Sequence, residues 1–241
     1  MASTRTPPLR LDADERRKAI VAAAVPLFAR KGFTGTTTRE LAEAAGISEA
    51  LLFKHFPSKQ LLYREIMMLG CEGDPALEQL AALSPSTATL VHMVGFMVRR
   101  CVLGEEGPDP APAGALECRQ RLVLHSFLED GAYARELYER IFERMHPCVT
   151  ASVEAAVASG DLHPTGVAPA NRFWFAQHVA AMIAFSGLSG AHCFPYAGPP
   201  EQLIDDASAF ILRGLGMTDA AIAAALAQPA PADPALPAAA D

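Results

Sequence analysis

Apolar residues recur at helical spacing along most of the chain, and no convincing run alternates with the period of two that marks a strand. The first such run predicts a helix that begins after Leu11, with Asp12 or Asp14 near its N-terminus, where negative charge is favourable. Its apolar face carries Ile20, Ala24, Leu27 and Phe28. The pattern as a whole predicts an all-α protein.

Two short helices joined by a glycine turn are predicted next. The sequence Thr37-Thr38-Arg39-Glu40 has the form of a capping box, in which a threonine hydroxyl and a returning glutamate satisfy the free amides of a helix start. Gly46 stands where that helix should end in a left-handed turn. Ser48 can cap the second helix, which directs Leu52 and Phe56 to a core. Two such helices fit a helix-turn-helix that enters a DNA major groove.

Longer helices are predicted over residues 90–103, 116–129, 132–159 and 201–215, and the prolines and glycines of residues 105–114 predict a loop. The segment 169–188 differs, because its apolar residues surround nearly the whole helix. Such a helix is either central to its own subunit or packs one face on a second subunit. From Thr218 the sequence turns to alanine and proline, which predicts a disordered tail over residues 218–241.

Charge is distributed unevenly along the 241 residues. Residues 1–70 hold 11 basic and 7 acidic side chains, a net of +4, whereas the whole chain has a net charge of −7. Residues 71–241 therefore carry 9 basic and 20 acidic groups, a net of −11. Only the N-terminal part suits a phosphate backbone, and the acidic remainder suits a second copy of the chain or a small molecule.

Composition limits the other classes of protein. A 51% apolar, 20% charged chain is typical of a globular protein, and neither a signal-peptide run nor an eighteen-residue apolar stretch occurs, so we expect a cytoplasmic protein with no membrane partner. Its five cysteines lack a C-x-x-C pair, and its histidines lack the spacing of a zinc site. No phosphate loop, G-x-S-x-G or dinucleotide fingerprint is present. We expect no metal, no cofactor and no enzymatic activity.

Residues 16–68 resemble the TetR-type transcriptional regulators. The resemblance rests on a first helix RRKAIVAAAVPLFARKGF, the turn TTTRELAEAAGIS and the following LLFKHFPSKQLLYREI. It implies a three-helix DNA-binding domain over residues 12–68, after an N-terminal arm at residues 1–11. A larger helical domain for effector binding and dimerisation would occupy residues 69–217.

The resemblance also implies which residues meet DNA. The set on the two short helices and the start of the next is Thr37, Thr38, Ser48, Glu49, Ala50, Phe53, Lys54, His55 and Lys59. Lys59 would hold a phosphate as a point charge, and Lys54 could donate to guanine. Glu49 either accepts from cytosine or stabilises the helix dipole. Phe53 stands where the family commonly has tyrosine, so that a hydroxyl contact to phosphate is missing.

In this family the last two helices form a four-helix dimer interface, which would here include Phe173, Trp174, Val179, Met182, Ile183 and Leu188. An effector of partly apolar character would meet Met93, Phe96, Met97, His125, Phe142, Met145 and Phe185, unless these side chains are ordinary core. The prediction is a dimeric regulator, a repressor released from a palindromic operator in double-stranded DNA by a small molecule. The alternatives are an activator or effector-independent regulator, an all-α interaction module, and a helical enzyme.

Overall fold

The computed structural model describes residues 12–71, 75–104, 115–190 and 192–227, which form eleven α-helices and one isolated bridge between Leu162 and Met217. The helices are α1 (Ala13–Gly35), α2 (Thr38–Ala44), α3 (Glu49–His55), α4 (Lys59–Cys71), α5 (Pro75–Ala82), α6 (Thr87–Leu103), α7 (Ala115–Leu128), α8 (Ala132–Ala158), α9 (Pro169–Ser186), α10 (Pro200–Gly214) and α11 (Asp219–Leu226). The predicted all-α class is confirmed. No helix in the described ranges is long and apolar enough to cross a bilayer.

Helix α1 begins as the sequence predicts. Asp12 is its N-cap, and its side chain accepts from the Glu15 amide at 2.7 Å while Glu15 accepts from the Asp12 amide at 3.2 Å. Near its other end the backbone leaves helical geometry at Gly32, whose φ is +70°. The buried hydroxyl of Thr36 donates to the Gly32 carbonyl at 2.8 Å and so closes this irregular turn.

The two short helices also begin where their caps predict. The Thr37 side chain accepts from the Glu40 amide, and the Ser48 hydroxyl accepts from the Leu51 amide at 3.2 Å. Between the helices, Gly46 adopts a φ of +65°, a conformation that costs glycine little because it has no Cβ. The chain turns within a few residues, and the starts of α2 and α3 are thereby brought together.

The chain divides into two compact units, and the N-terminal one includes a segment from far along the sequence. Residues 122–134 belong to it together with the residues up to 70. An aromatic core joins the two stretches: the Tyr63 ring lies 5.0 Å from Phe28 and 6.2 Å from Tyr133 between ring centroids. The Thr34 amide donates to Glu129 Oε1 at 3.1 Å. This unit therefore differs from the predicted domain of residues 12–68.

The C-terminal unit is built around α6. One cluster of buried side chains packs α6 against α9, α10 and α11, with Val98 and Leu90 fully enclosed. A smaller cluster joins α5, α6 and α8 through Leu80, Leu83, Met93, Met145 and Cys148. This unit contains the predicted dimer-interface residues and six of the seven predicted effector residues.

The predicted disordered tail is wrong at its beginning. The Thr218 hydroxyl accepts from the Ala221 amide at 3.2 Å and starts α11, which buries Ala221 and Ile222 against the core around α6. Alanine favours a helix because it loses no side-chain entropy, and here one isoleucine anchors the alanine-rich stretch. Residues 228–241, the N-terminal arm at 1–11 and the predicted loop at 105–114 lie outside the described residues.

Candidate nucleic-acid interface

Helix α3 divides its side chains sharply between core and surface. Leu52 is 2% exposed, and Phe56 just after the helix is 1% exposed. On the other side lie the exposed side chains of Glu49, Ala50, Phe53 and Lys54, preceded by the exposed Ser48. Because the apolar anchors fix the rotation of the helix, these five residues form one outward face, which we call the α3 face.

Arg17 holds the end of α3 to α1 and α4. Its guanidinium donates to both oxygens of Glu65, at 3.0 and 2.9 Å, and to the carbonyl oxygen of His55 at 2.8 Å. It also lies over the Phe56 ring, 4.1 Å from the centroid. The hydrogen bonds from Arg17 lower the pKa of Glu65. One side chain thus fixes the C-terminal end of the α3 face.

A second network fixes the start of α2. Glu40 accepts from both the amide and the hydroxyl of Thr37, each at 2.9 Å, and from the ammonium of Lys31 on α1. These bonds, the one from Lys31 first, lower the pKa of Glu40 to about 2. The carboxylate stays charged at neutral pH and keeps the positive end of α2 in place.

The starts of α2 and α3 are tied directly by one hydrogen bond. The Thr38 hydroxyl donates to Glu49 Oε2 at 2.9 Å, between two side chains eleven residues apart. Glu49 also lies in the first turn of α3, where its charge favours the helix dipole. Both predicted roles of Glu49 are compatible with this geometry, since a carboxylate has acceptor positions left over.

Lys59 makes its hydrogen bonds inside the protein. Its ammonium donates to the carbonyl oxygens of Phe33 and Thr36, each at 2.8 Å, and lies 4.3 Å from the centroid of the Phe33 ring. It therefore caps the C-terminal end of α1, where unpaired carbonyls favour a cation. Two of its three donors are used inside the protein, and we propose that this structural role replaces the predicted phosphate contact.

The other predicted DNA-contact residues lie along α3 and at the start of α2. Thr37 is exposed and Thr38 is half-buried, as is His55 at the far end of α3. Sequence analysis missed Arg17 and Lys31, which position this surface without belonging to it. Arg17 and Glu65 are 48 residues apart, and no local pattern signals a pair at that distance.

The six predicted effector residues of the C-terminal unit are distributed over more than one cluster. Met93 and Met145 are buried in the smaller core cluster, and Phe96 packs against it, whereas Met97 packs on the larger one. Phe142 stacks on Trp174 at 5.4 Å between centroids, and Phe185 is half-buried. His125 lies in the N-terminal unit, where a Cβ added to Gly32 would be 3.0 Å from its Nδ1. Met93 and Met145 thus occupy core positions, and the effector assignment stays a prediction.

The predicted dimer-interface residues also separate into two groups. Ile183 is 5% exposed, and Phe173 and Trp174 form edge-to-face and stacked contacts with aromatic rings of α8. Val179 and Leu188 are half-buried, and Met182 is 52% exposed. Ile183 therefore has almost no surface to offer a second chain, which corrects that assignment. Two exposed residues that sequence analysis missed are Phe175 on α9 and Phe210 on α10.

In the described part of the chain, no group of three or more His, Cys, Asp or Glu side chains is placed to hold a metal ion. Cys101, Cys148 and Cys193 are free thiols.

Comparison with known proteins shows which proteins this chain is similar to. The family model described as bacterial regulatory proteins, tetR family, matches residues 20–66. The transcriptional regulator RutR of Escherichia coli is 42% identical over 115 residues, covering 48% of this chain and 52% of RutR. The transcriptional repressor KstR2 of Rhodococcus jostii is 34% identical over 92 residues, covering 32% of this chain and 45% of KstR2. The chain thus matches about half the length of these curated relatives.

Solved structures extend the likeness of fold beyond the matched segment. The structure of AibR in complex with isovaleryl coenzyme A and operator DNA has a TM-score of 0.58 at 18% identity, over 85% of this chain and all of AibR. At that identity the likeness concerns the fold alone. The match to residues 20–66 and the helical C-terminal unit fit the same kind of protein. The curated relatives are transcriptional regulators rather than enzymes. Residues 20–66 thus match the tetR family of bacterial regulatory proteins, and the chain is similar to transcriptional regulators of that type.

Proposed function

We propose that the protein is a homodimeric, sequence-specific DNA-binding transcriptional repressor that a small-molecule effector releases from a palindromic operator. The observation that carries the proposal is the α3 face, an exposed row of Ser48, Glu49, Ala50, Phe53 and Lys54 on a helix that its caps and anchors hold rigidly. A rigid helix with its polar residues outward can read base edges in the major groove.

Contacts to the phosphate backbone come from the start of α2 in this proposal. Thr37 and Thr38 lie at the N-terminus of α2, whose positive end favours a phosphate oxygen, while the Thr37 amide itself donates to Glu40. On the α3 face, Lys54 donates to guanine, Phe53 contacts a thymine methyl and the charge of Glu49 selects for cytosine. His55 lies at the edge of this surface, and its carbonyl is already bound to Arg17.

A second copy of the chain is the proposed partner of α9 and α10. Phe175 is 59% exposed and Met182, two helical turns later, is 52% exposed, while Phe210 on α10 is 66% exposed. Apolar groups of this size gain free energy when another protein surface covers them. A two-fold dimer also places two α3 faces in successive major grooves about 34 Å apart.

The repressor assignment draws on KstR2, which is named a repressor, and effector control draws on AibR, whose structure holds an acyl-coenzyme A and operator DNA. An effector that favours one dimer arrangement would change operator affinity by about 1 to 3 kcal/mol, and DNA would change effector affinity equally.

Selection of bound duplexes from a random DNA pool tests the proposal. We expect an enriched inverted repeat, and a promoter carrying that repeat should lose expression when the protein is present. If the protein instead raises expression from a promoter that carries the enriched repeat, it is an activator rather than a repressor. Salt-sensitive binding without enrichment would overturn sequence specificity.

A further inference from the structure

A cavity of about 630 Å³ lies within the C-terminal unit. Its walls come from the end of α6, the start of α7 and the end of α9 with the turn that follows. None of the seven predicted effector residues is among its lining residues. The volume is within the range of about 300 to 1,000 Å³ that small-molecule sites occupy.

The lining combines apolar side chains with a few polar groups that are held in place. Val102 and Leu188 supply apolar surface, and Arg121 supplies the only guanidinium among the described lining residues. Arg121 donates through Nε to Glu117 at 2.9 Å and through Nη2 to the carbonyl oxygen of Leu188. A guanidinium has five N–H donors, so three are left after these two bonds.

The charge of this wall is balanced. Glu117, which also lines the cavity, neutralises Arg121, so that a bound carboxylate would compete with Glu117 for the same guanidinium. Binding of an uncharged ligand avoids the free-energy cost of removing a second negative charge from water. The arrangement favours a neutral ligand whose carbonyl oxygen accepts from Arg121.

His192 supplies the complementary acceptor. The Ser186 hydroxyl oxygen lies 2.7 Å from the Ile183 carbonyl oxygen and 2.9 Å from His192 Nδ1, so it can donate to the carbonyl and accept from the ring. In the tautomer whose Nδ1 donates to Ser186, the ring has its acceptor at Nε2. Gly187 allows this placement, because a Cβ there would lie 3.1 Å from His192 Cε1.

We infer that this cavity binds a small uncharged amide or lactam with a short apolar part, its carbonyl on Arg121 and its N–H on His192. Gln120, which also lines the cavity, adds one donor and one acceptor of the same kind. The inference deepens the proposed function, since it rests on that function for the statement that the ligand is the effector.

Matched ligand pairs test the site in the full chain without DNA. Ligand-observed NMR would compare valeramide, δ-valerolactam and benzamide with valerate and benzoate. We expect an amide or the lactam to bind and its carboxylate counterpart to bind at least about tenfold more weakly. Stronger binding of the carboxylates, or no binding by any of the five compounds, would overturn the inference.

A pair of variants tests the role of Arg121. Arg140→Gln is the matched control, because Arg140 pairs with Glu136 at the same i−4 spacing but does not line the cavity. We expect Arg121→Gln to weaken amide binding about tenfold and Arg140→Gln to leave it unchanged. If Arg121→Gln fails to fold, Arg121→Lys keeps the charge and loses the fork of donors, and the same loss is expected. Equal binding by the Arg121 and Arg140 variants would overturn the assignment.

The regulatory role is measured separately, by fluorescence anisotropy of the selected duplex with and without the bound amide. A fall in DNA affinity supports the amide as effector. Amide binding that leaves DNA affinity unchanged supports the ligand site and overturns the effector role. Absence of specific DNA binding, with amide binding intact, overturns the proposed function and leaves the site in place.

Discussion

The α3 face and the outward sides of α9 and α10 both expose large apolar side chains, but among very different neighbours. Phe53 is 42% exposed and stands alone among Ser48, Glu49 and Lys54. On α9 and α10, two consecutive helices of one unit, three apolar side chains are each more exposed than Phe53: those of Phe175, Met182 and Phe210. A single apolar group on a polar surface suits DNA, where a thymine methyl is a local apolar contact, whereas a group of them suits another protein.

Substitution of the exposed apolar residues on α9 and α10 should have the largest effect on DNA binding. In the double variant Phe175→Glu, Phe210→Glu, two charges on the proposed interface should give monomers in sedimentation. Because the second half-site then loses its tethered partner, affinity for the inverted repeat should fall by about 100-fold or more. Leu226→Glu, at a residue that is 64% exposed on α11, is the control. A double variant that remains dimeric would place the interface elsewhere.

A smaller loss is expected at the polar face. Lys54→Ala should weaken binding to the selected repeat by roughly 1 to 3 kcal/mol and relax the preference at one symmetric pair of positions. Arg64→Ala, which removes an exposed charge on α4, serves as the control for net charge. Competition with single-base variants of the repeat would measure both. Equal losses on all sequences would show that Lys54 contacts only the backbone.

A variant of Lys59 distinguishes a residue that stabilises the fold behind the α3 face from a residue that contacts DNA. Lys59→Met keeps an unbranched stem beside Phe33 but removes the bonds to the Phe33 and Thr36 carbonyls, so the free energy of unfolding should fall by about 1 to 2 kcal/mol. The dependence of DNA affinity on salt should not change. Urea denaturation and titrations at several salt concentrations measure the two effects, with the exposed Lys18→Met as control. A salt slope reduced by about one would restore the phosphate contact.

The smallest expected effect is a dependence on pH at the start of α2. Since folding lowers the pKa of Glu40 from 4.5 to about 2, the charged carboxylate stabilises the fold above pH 4.5, and this contribution is lost as the pH falls towards 2. Glu40→Gln should therefore be less stable than the unmodified chain at neutral pH, and the two should converge in acid. Thermal unfolding from pH 7 to 2 would show this. A difference in stability that persists at pH 2 would contradict this role of Glu40. The same pH dependence in Glu43→Gln would also contradict it.

The parts of this structure that sequence predicts well are those specified by neighbours along the chain. Asp12, Thr37 and Ser48 cap the first three helices, and Gly46 makes the turn, because each feature depends on residues within four or five positions. The outward positions of α3 follow from the same spacing. Their contacts with DNA stay predictions.

The parts that sequence analysis missed depend on residues that are distant along the chain. Lys59 reaches carbonyls 23 and 26 residues earlier, and His125 lies against Gly32. Helical periodicity marks Ile183 as apolar but does not say whether its partner is the same subunit or another. The alanine-rich composition after Thr218 predicts disorder, but Thr218 gives α11 a cap and Ile222 gives it an anchor.

The presence of residues 122–134 in the N-terminal unit affects how this protein can be recombined with its relatives. A chimera that joins residues 1–70 to the regulatory part of another family member would exchange Tyr133 and Glu129 for foreign side chains. It would thereby lose the ring beside Tyr63 and the acceptor of the Thr34 amide. A functional graft has to transplant both stretches together, and evolution by simple exchange of the first 70 residues faces the same constraint.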